Sequence, residues 1–134
     1  MKAKAKITVV RTVKAVHPVA RQIAENLSAI DAIRFVKISP ELLRASSEVS
    51  EGRLKTPVTK AGHPTAIGVS VIFDAAYKMV QFYDITSATK GYGAKMVDAV
   101  LRALPEGWTG VVVMDWSGGF WDKMREKHTN LEIM

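Results

Sequence analysis

Between Thr65 and Trp116 the chain changes hydrophobic period twice, and that succession limits the folds open to it. Thr65 to Asp74 (TAIGVSVIFD) and Lys78 to Ile85 (KMVQFYDI) are rich in β-branched and aromatic residues. Ala75-Ala76-Tyr77 joins them, which predicts a hairpin. From Gly91 to Leu104 the period is helical: Met96, Val97, Val100, Leu101 and Leu104 share one face, opposite Lys95, Asp98 and Arg102. Pro105-Glu106-Gly107 stops that helix, and Gly110 to Trp116 (GVVVMDW) reads as a strand buried on both faces. A helix linking two strands predicts a parallel pair, since tight turns join antiparallel ones. A parallel pair beside an antiparallel hairpin is a mixed α/β sheet.

The flanks add elements of both kinds. Lys6 to Val13 (KITVVRTV) predicts a strand near a sheet edge. Pro18 suits the first turn of a helix whose apolar face is Val19, Ile23, Leu27 and Ile30. Ala32 to Ile38 fits either a short strand or a continuation of that helix. Ser39-Pro40-Glu41 ahead of Leu42-Leu43 predicts another helix start, with Ser39 as cap and Pro40 at the first position. Residues 45–64 are polar, broken by Gly and Pro, and predict a long loop. Phe120 to Lys127 reads as a short helix with Phe120, Trp121 and Met124 inward, and Leu131 to Met134 as a last strand.

Composition removes several function classes. At 134 residues the chain suits one domain with a core of its own. With no cysteine it has no disulfide, thiol nucleophile or cysteine-type zinc site, which fits a reducing compartment. The N-terminal apolar run, Ile7 to Val10, is too short for a signal peptide, and no run reaches the roughly 18 apolar residues of a membrane span. The expectation is a soluble cytoplasmic protein with no membrane partner. His17, His63 and His128 lack ligand spacing, so no metal site is expected.

Charge is uneven: residues 1–62 hold 12 Lys/Arg and 5 Asp/Glu (12 − 5 = +7), residues 63–134 hold 7 and 8 (7 − 8 = −1). A basic half can attract nucleic acid, an acidic surface or a polyanionic cofactor, or simply be a solvated lysine-rich surface. Aromatic residues do not interleave with the basic ones and no helix-turn-helix is visible, so nucleic acid is not the expected partner.

The predicted helix opens on Ala88-Thr89-Lys90-Gly91-Tyr92-Gly93-Ala94-Lys95, where two glycines stand at its first turn. Glycine is a poor helix former, so these positions serve either a tight turn or a close approach of the backbone to a ligand. A glycine-containing turn between strand and helix suits an anion, because the first helical N–H groups lack internal partners. Two common phosphate motifs are excluded. Met96 stands where a dinucleotide-binding G-x-G-x-x-G needs its third glycine, and no G-K-[S/T] ends the loop as a P-loop requires.

The stretch resembles the Q/R-x-x-G-x-G/A signature of the GNAT superfamily of acyl-CoA-dependent N-acetyltransferases. Lys95-Met96-Val97 resembles that family's basic-apolar-apolar helix opening, and SGGFWDKMREKH after VVVMDW is similar to its FY-x-K-x-GF helix. The likeness spans about residues 66–134. Ala88 stands at the motif's Gln/Arg, Trp121 at an aromatic position where many members carry a tyrosine, and the terminal Gly-Phe is absent after Met124. The implied fold is a mostly antiparallel sheet with one parallel strand pair, flanked by helices, and a homodimer could complete the last strands.

The resemblance implies acetyl-CoA as donor and an amine, on a small molecule or a protein, as acceptor. It implies that the loop N–H groups hold the CoA pyrophosphate and that two splayed strands hold the pantetheine arm. Carried onto this sequence, the cofactor residues are Ile85, Thr89, Lys90, Gly91, Tyr92, Gly93, Ala94, Lys95, Ser117 and Trp121. An oxyanion donor from the strand backbone would fall near Tyr83 to Ile85. Asp84 is a candidate base, or else a solvated strand-end residue; Tyr83 is a candidate acid or pocket residue, or else packing. Asp115 could contact pantetheine or cap the next helix, and Trp116 could line an acceptor pocket. The alternative reading is a GNAT-fold module that binds CoA or a protein without catalysis, which Ala88 and Trp121 favour.

Overall fold

A computed structural model describes residues 5–53, 55–113, 115 and 117–134. Its elements, in chain order, are β1 (Lys6–Val9), α1 (Pro18–Ser28), β2 (Phe35–Ile38), β3 (Leu42–Ser46), β4 (Ile67–Asp74), β5 (Met79–Ser87), α2 (Tyr92–Arg102), β6 (Thr109–Val112), α3 (Phe120–Lys127) and β7 (Leu131–Ile133). The seven strands form one sheet in sequence order. The centre, β2 to β5, is antiparallel and carries most of the paired residues. Three pairs are parallel: β1 with β2, β5 with β6, and β6 with β7, bridged by α1, α2 and α3 in turn. The β5–β6 pair matches the expectation from the strand–helix–strand pattern, but the single parallel pair expected is corrected to three. No helix among the described residues is long and apolar enough to cross a membrane.

One predicted helix is a turn. Ser39-Pro40-Glu41 reverses the chain between β2 and β3, with the Ser39 N–H donating to the Leu42 carbonyl at 2.9 Å. The capping signal is real, but a helix there would be too short to offset its nucleation cost. Alternation wins instead, since Leu43 and Ala45 bury beside Ile38 and Val36 in register. The same pairing resolves Ala32 to Ile38 in favour of a strand. The first strand stops at Val9 rather than Val13 and is exposed along its length, as an edge strand can be.

Alternation gives the sheet two unlike faces. On one, Val36, Ile38, Leu43, Ala45, Val69, Val71, Val80 and Phe82 join Ile23, Leu27, Met96, Val97, Val100, Leu101, Trp121 and Met124 in a single core. A cross-strand row of Lys37, Arg44, Ser70 and Asp84 marks the other. The segment between β3 and β4 is folded against that polar face. The Ser47 N–H donates to the Ile67 carbonyl (2.8 Å) and the Val58 N–H to that of Glu48 (3.0 Å). His63 closes the turn before β4, its Nδ1 accepting from the N–H groups of Thr65 (3.2 Å) and Ala66 (3.0 Å).

Gly68 is where that segment meets the sheet. A Cβ there would lie 2.9 Å from the Ala45 carbonyl oxygen and closer still to that of Val58. Backbone cannot swing aside as a side chain can, so Gly68→Ala should cost about 1–3 kcal/mol by overpacking. At Gly110 the tight neighbour is the movable end of Leu101, 2.5 Å from the Cβ position, and Gly110→Ala should cost less. Urea denaturation of the two variants checks this ranking, and equal losses would contradict it.

Candidate functional site

The site begins where β5 and β6 part. They pair only from Met79–Gln81 to Thr109–Val111, while β5 continues to Ser87. The gap is walled by Trp121 of α3, which is 5% exposed and packs against Phe82 and Phe120 at ring distances of 5.0 and 5.1 Å. At its mouth lies a cleft of about 220 Å³ lined by Tyr83, Asp84, Ile85, Ser117 and Trp121, with Ala61 from the long loop beside them.

A β-bulge shapes this edge. Ser70 faces Asp84 and Val71 faces Phe82, so Tyr83 has no residue opposite it. An extra residue disrupts the ladder locally and re-aims the side chains around it. Tyr83 is 61% exposed at the cleft, so the packing role open to it from sequence is not the one it takes. Asp84 is half-buried. Burial pushes its carboxyl above the ordinary value, with Arg44 and Lys60 pulling the other way. A carboxylate shifted upward is the better proton acceptor. Of the alternative, a solvated strand-end residue, the position is corrected, because β5 runs on to Ser87, while Asp84 stays partly solvated.

The glycine turn opens a second cleft of about 610 Å³, lined by Lys90, Gly91, Gly93, Ala94, Phe120, Lys123 and Lys127 among others. Phe120 lines this cleft and Trp121 the first, so adjacent residues of α3 serve both. Lys95 is the first residue of α2 to donate to a carbonyl four back, that of Gly91 at 3.3 Å, and no side chain caps the helix. The N–H groups of Tyr92, Gly93 and Ala94 therefore lack intrahelical acceptors. Three lysines against Glu126 give the lining a net positive charge.

The two glycines have separate reasons. Gly91 has φ +97°, a conformation that side chains resist, with open space around its Cβ position. At Gly93 a Cβ would meet the Phe120 ring at 3.2 and 3.3 Å. Gly91 thus serves the turn, and the close neighbour that Gly93 admits is the Phe120 ring of the chain itself rather than a ligand.

Other expected residues fall elsewhere. The Tyr92 hydroxyl donates to Asp31 at 2.9 and 3.1 Å, and that contact raises its phenol pKa; the Lys95 ammonium sits 4.7 Å from its ring centre. The Tyr92 side chain ties α2 to the segment after α1, Lys95 packs on its ring, and neither lines the two clefts, nor does Thr89. The Thr89 carbonyl accepts from the Ser87 hydroxyl. Asp115 accepts from the Ser117 N–H (2.9 Å) and hydroxyl (2.5 Å), which hold its pKa low. The Ser117 oxygen in turn accepts from the Trp121 N–H at 3.2 Å. Asp115 thus holds the turn before α3 without capping that helix, whose N-cap is Gly119 with no side-chain cap of its own, and Ser117 serves the same turn while lining the first cleft. Trp116 lies outside the described residues.

Sequence reasoning missed Arg44, Lys60, Phe82, Phe120, Lys123 and Lys127. For Lys123 and Lys127 a signal existed, since residues four apart share a helix face. For Arg44 and Lys60 none did, because their proximity to Asp84 depends on strand register and loop packing. No protein-family model, curated protein or solved structure matches this chain.

Proposed function

We propose that the protein is an N-acetyltransferase of GNAT type, moving an acetyl group from acetyl-CoA directly to an amine. The observation that carries this reading is the parting of β5 and β6, with an upward-shifted carboxylate at the gap and an uncapped helix start beside it. The residues present fit the cofactor. The N–H groups of Tyr92, Gly93 and Ala94, with Lys90, Lys123 and Lys127, would hold its phosphates. Phe82 and Trp121 would flank its arm and exclude water.

Bound acetyl-CoA would supply the acyl carbon: its C–S bond breaks as a C–N bond forms, one ammonium proton ending on sulfur and one in solvent. Asp84 accepts the proton that the ammonium must lose before its nitrogen can attack. The β5 backbone beside the bulge offers N–H donors for the carbonyl oxygen. The Tyr83 phenol is the hydroxyl available to deliver a proton.

Calorimetric titration with acetyl-CoA tests the reading. Saturable binding is expected, weakened on the order of tenfold in Lys123→Gln/Lys127→Gln and further by salt. No binding at millimolar ligand overturns it. The position of Trp121, buried and without a hydroxyl, favours one other reading, a module that binds CoA without turnover. Binding with no thiol release across a broad amine screen would select that one.

A further inference from the structure

The polar face of β1 and β2 carries another cleft, of about 260 Å³, which shares no lining residue with the two already described. Its floor follows from the parallel register: Lys6 lies opposite Phe35, and Lys37 stands two residues on along the same face. Val49, Lys55 and Pro57, from the segment between β3 and β4, form the far wall. That wall is braced as a narrow hairpin. Val49 bridges Pro57, the Val58 N–H donates to the Glu48 carbonyl (3.0 Å), and the Ser50 N–H donates to that of Thr56 (2.7 Å). Pro57 is buried, Phe35, Lys37 and Val49 are half-buried, and Lys6 and Lys55 are exposed.

The lining has charge of one sign. Three lysines from three segments line it, and among the described residues no carboxylate or imidazole does. The contacts of His63 with Glu48 and of Arg102 with Asp98 leave these lysines without an acidic partner among the described residues. Lysine stems lie along apolar surface while their ammonium groups stay in water, so the cleft is apolar within and positive at its rim. Like charges held together gain from an anion between them, and a concave apolar wall gains from an apolar body. We infer that the cleft binds a compact amphipathic anion, an apolar ring system that carries a carboxylate or a phosphate. The ring lies against Phe35, Val49 and Pro57, and the anionic head faces Lys6, Lys37 and Lys55. This site goes beyond the acetyl transfer proposed above and does not depend on it. Every lining residue falls within residues 1–62, so the surplus of positive charge in that half gains a chemical role.

The test titrates naphthylacetate into the protein by NMR. Naphthylacetamide keeps the ring and loses the charge, and acetate keeps the charge and loses the ring. Naphthylacetate should saturate, with the amide and acetate each weaker by about fivefold or more. Lys6→Gln/Lys55→Gln, at two exposed positions, should weaken the acid about fivefold and leave the amide unchanged. Arg11→Gln/Lys14→Gln removes the same charge outside the cleft and should bind as wild type. Naphthyl phosphate sorts the head group: tighter binding than the acid assigns a phosphate to the site, weaker binding a carboxylate. No saturation by either anion at millimolar ligand overturns the proposal. So does equal binding of acid and amide, or an equal loss in the two double variants. Acetyl-CoA should not displace naphthylacetate, and displacement would put the anion in the cofactor clefts and overturn this site alone. If acetyl-CoA fails to bind while naphthylacetate binds as described, the acetyltransferase reading falls and this site stands.

Discussion

Trp121→Ala should cost about 3–5 kcal/mol, the range for truncating a buried aromatic to alanine. The indole is 5% exposed and packs on Phe82 across the gap left by β5 and β6. Nothing in the ladder can close that gap, because pairing ends at Gln81 and Val111. A cavity would therefore open rather than collapse, which puts the loss toward the upper part of the range. For a chain of 134 residues the melting temperature should fall by roughly 10 °C or more. Trp121→Phe keeps a ring in the gap and should lose much less. A thermal scan of both variants decides the matter: an alanine variant as stable as wild type would mean that α3 does not brace the parted strands.

The order of elements from β4 onward could be read from the sequence because each period there has one solution. TAIGVSVIFD and KMVQFYDI cannot form amphipathic helices, and the face built on Met96, Val97, Val100, Leu101 and Leu104 cannot form a strand. The N-terminal half was harder for a physical reason. Ser39-Pro40-Glu41 satisfies the local rules for a helix start, and only the partners of Leu43, namely Ile38 and Val71, decide otherwise. Local propensity gave way to pairing across the sheet.

The site divides in the same way. The glycine turn was visible because its demand is local: a φ of +97° needs glycine wherever it occurs. The bulge at Tyr83 left no mark on the sequence, since it consists of a mismatch in residue count between β4 and β5. Tyr92 and Lys95 fell inside the motif, yet the Tyr92 hydroxyl reaches Asp31 and Lys95 sits over the Tyr92 ring while their backbone stays at the turn. A motif fixes main-chain geometry better than it fixes where side chains point.

Asp84→Asn should separate the catalytic role of the carboxylate from its effect on stability, because the two move in opposite directions. Turnover should fall on the order of 10²–10⁴-fold, the usual contribution of a positioned base. The acid limb of the wild-type pH–rate profile, which reflects Asp84 losing its proton, should disappear with it. Stability follows from the direction of the shift. Burial raises the folded-state pKa above the ordinary 3.8, so folding favours the protonated acid. That contribution is fully present below the unfolded value and is lost as pH rises through the folded value. At neutral pH the wild type therefore carries a half-buried charge that Arg44 and Lys60 only partly compensate. Asparagine is neutral throughout, so the variant should be more stable than wild type at pH 7, the gain shrinking toward nothing below about pH 4. Urea denaturation at pH 7 and pH 3.5 reads the difference. A variant less stable at pH 7 would mean that attraction to the two cations outweighs desolvation, and one with wild-type turnover would remove Asp84 as the base.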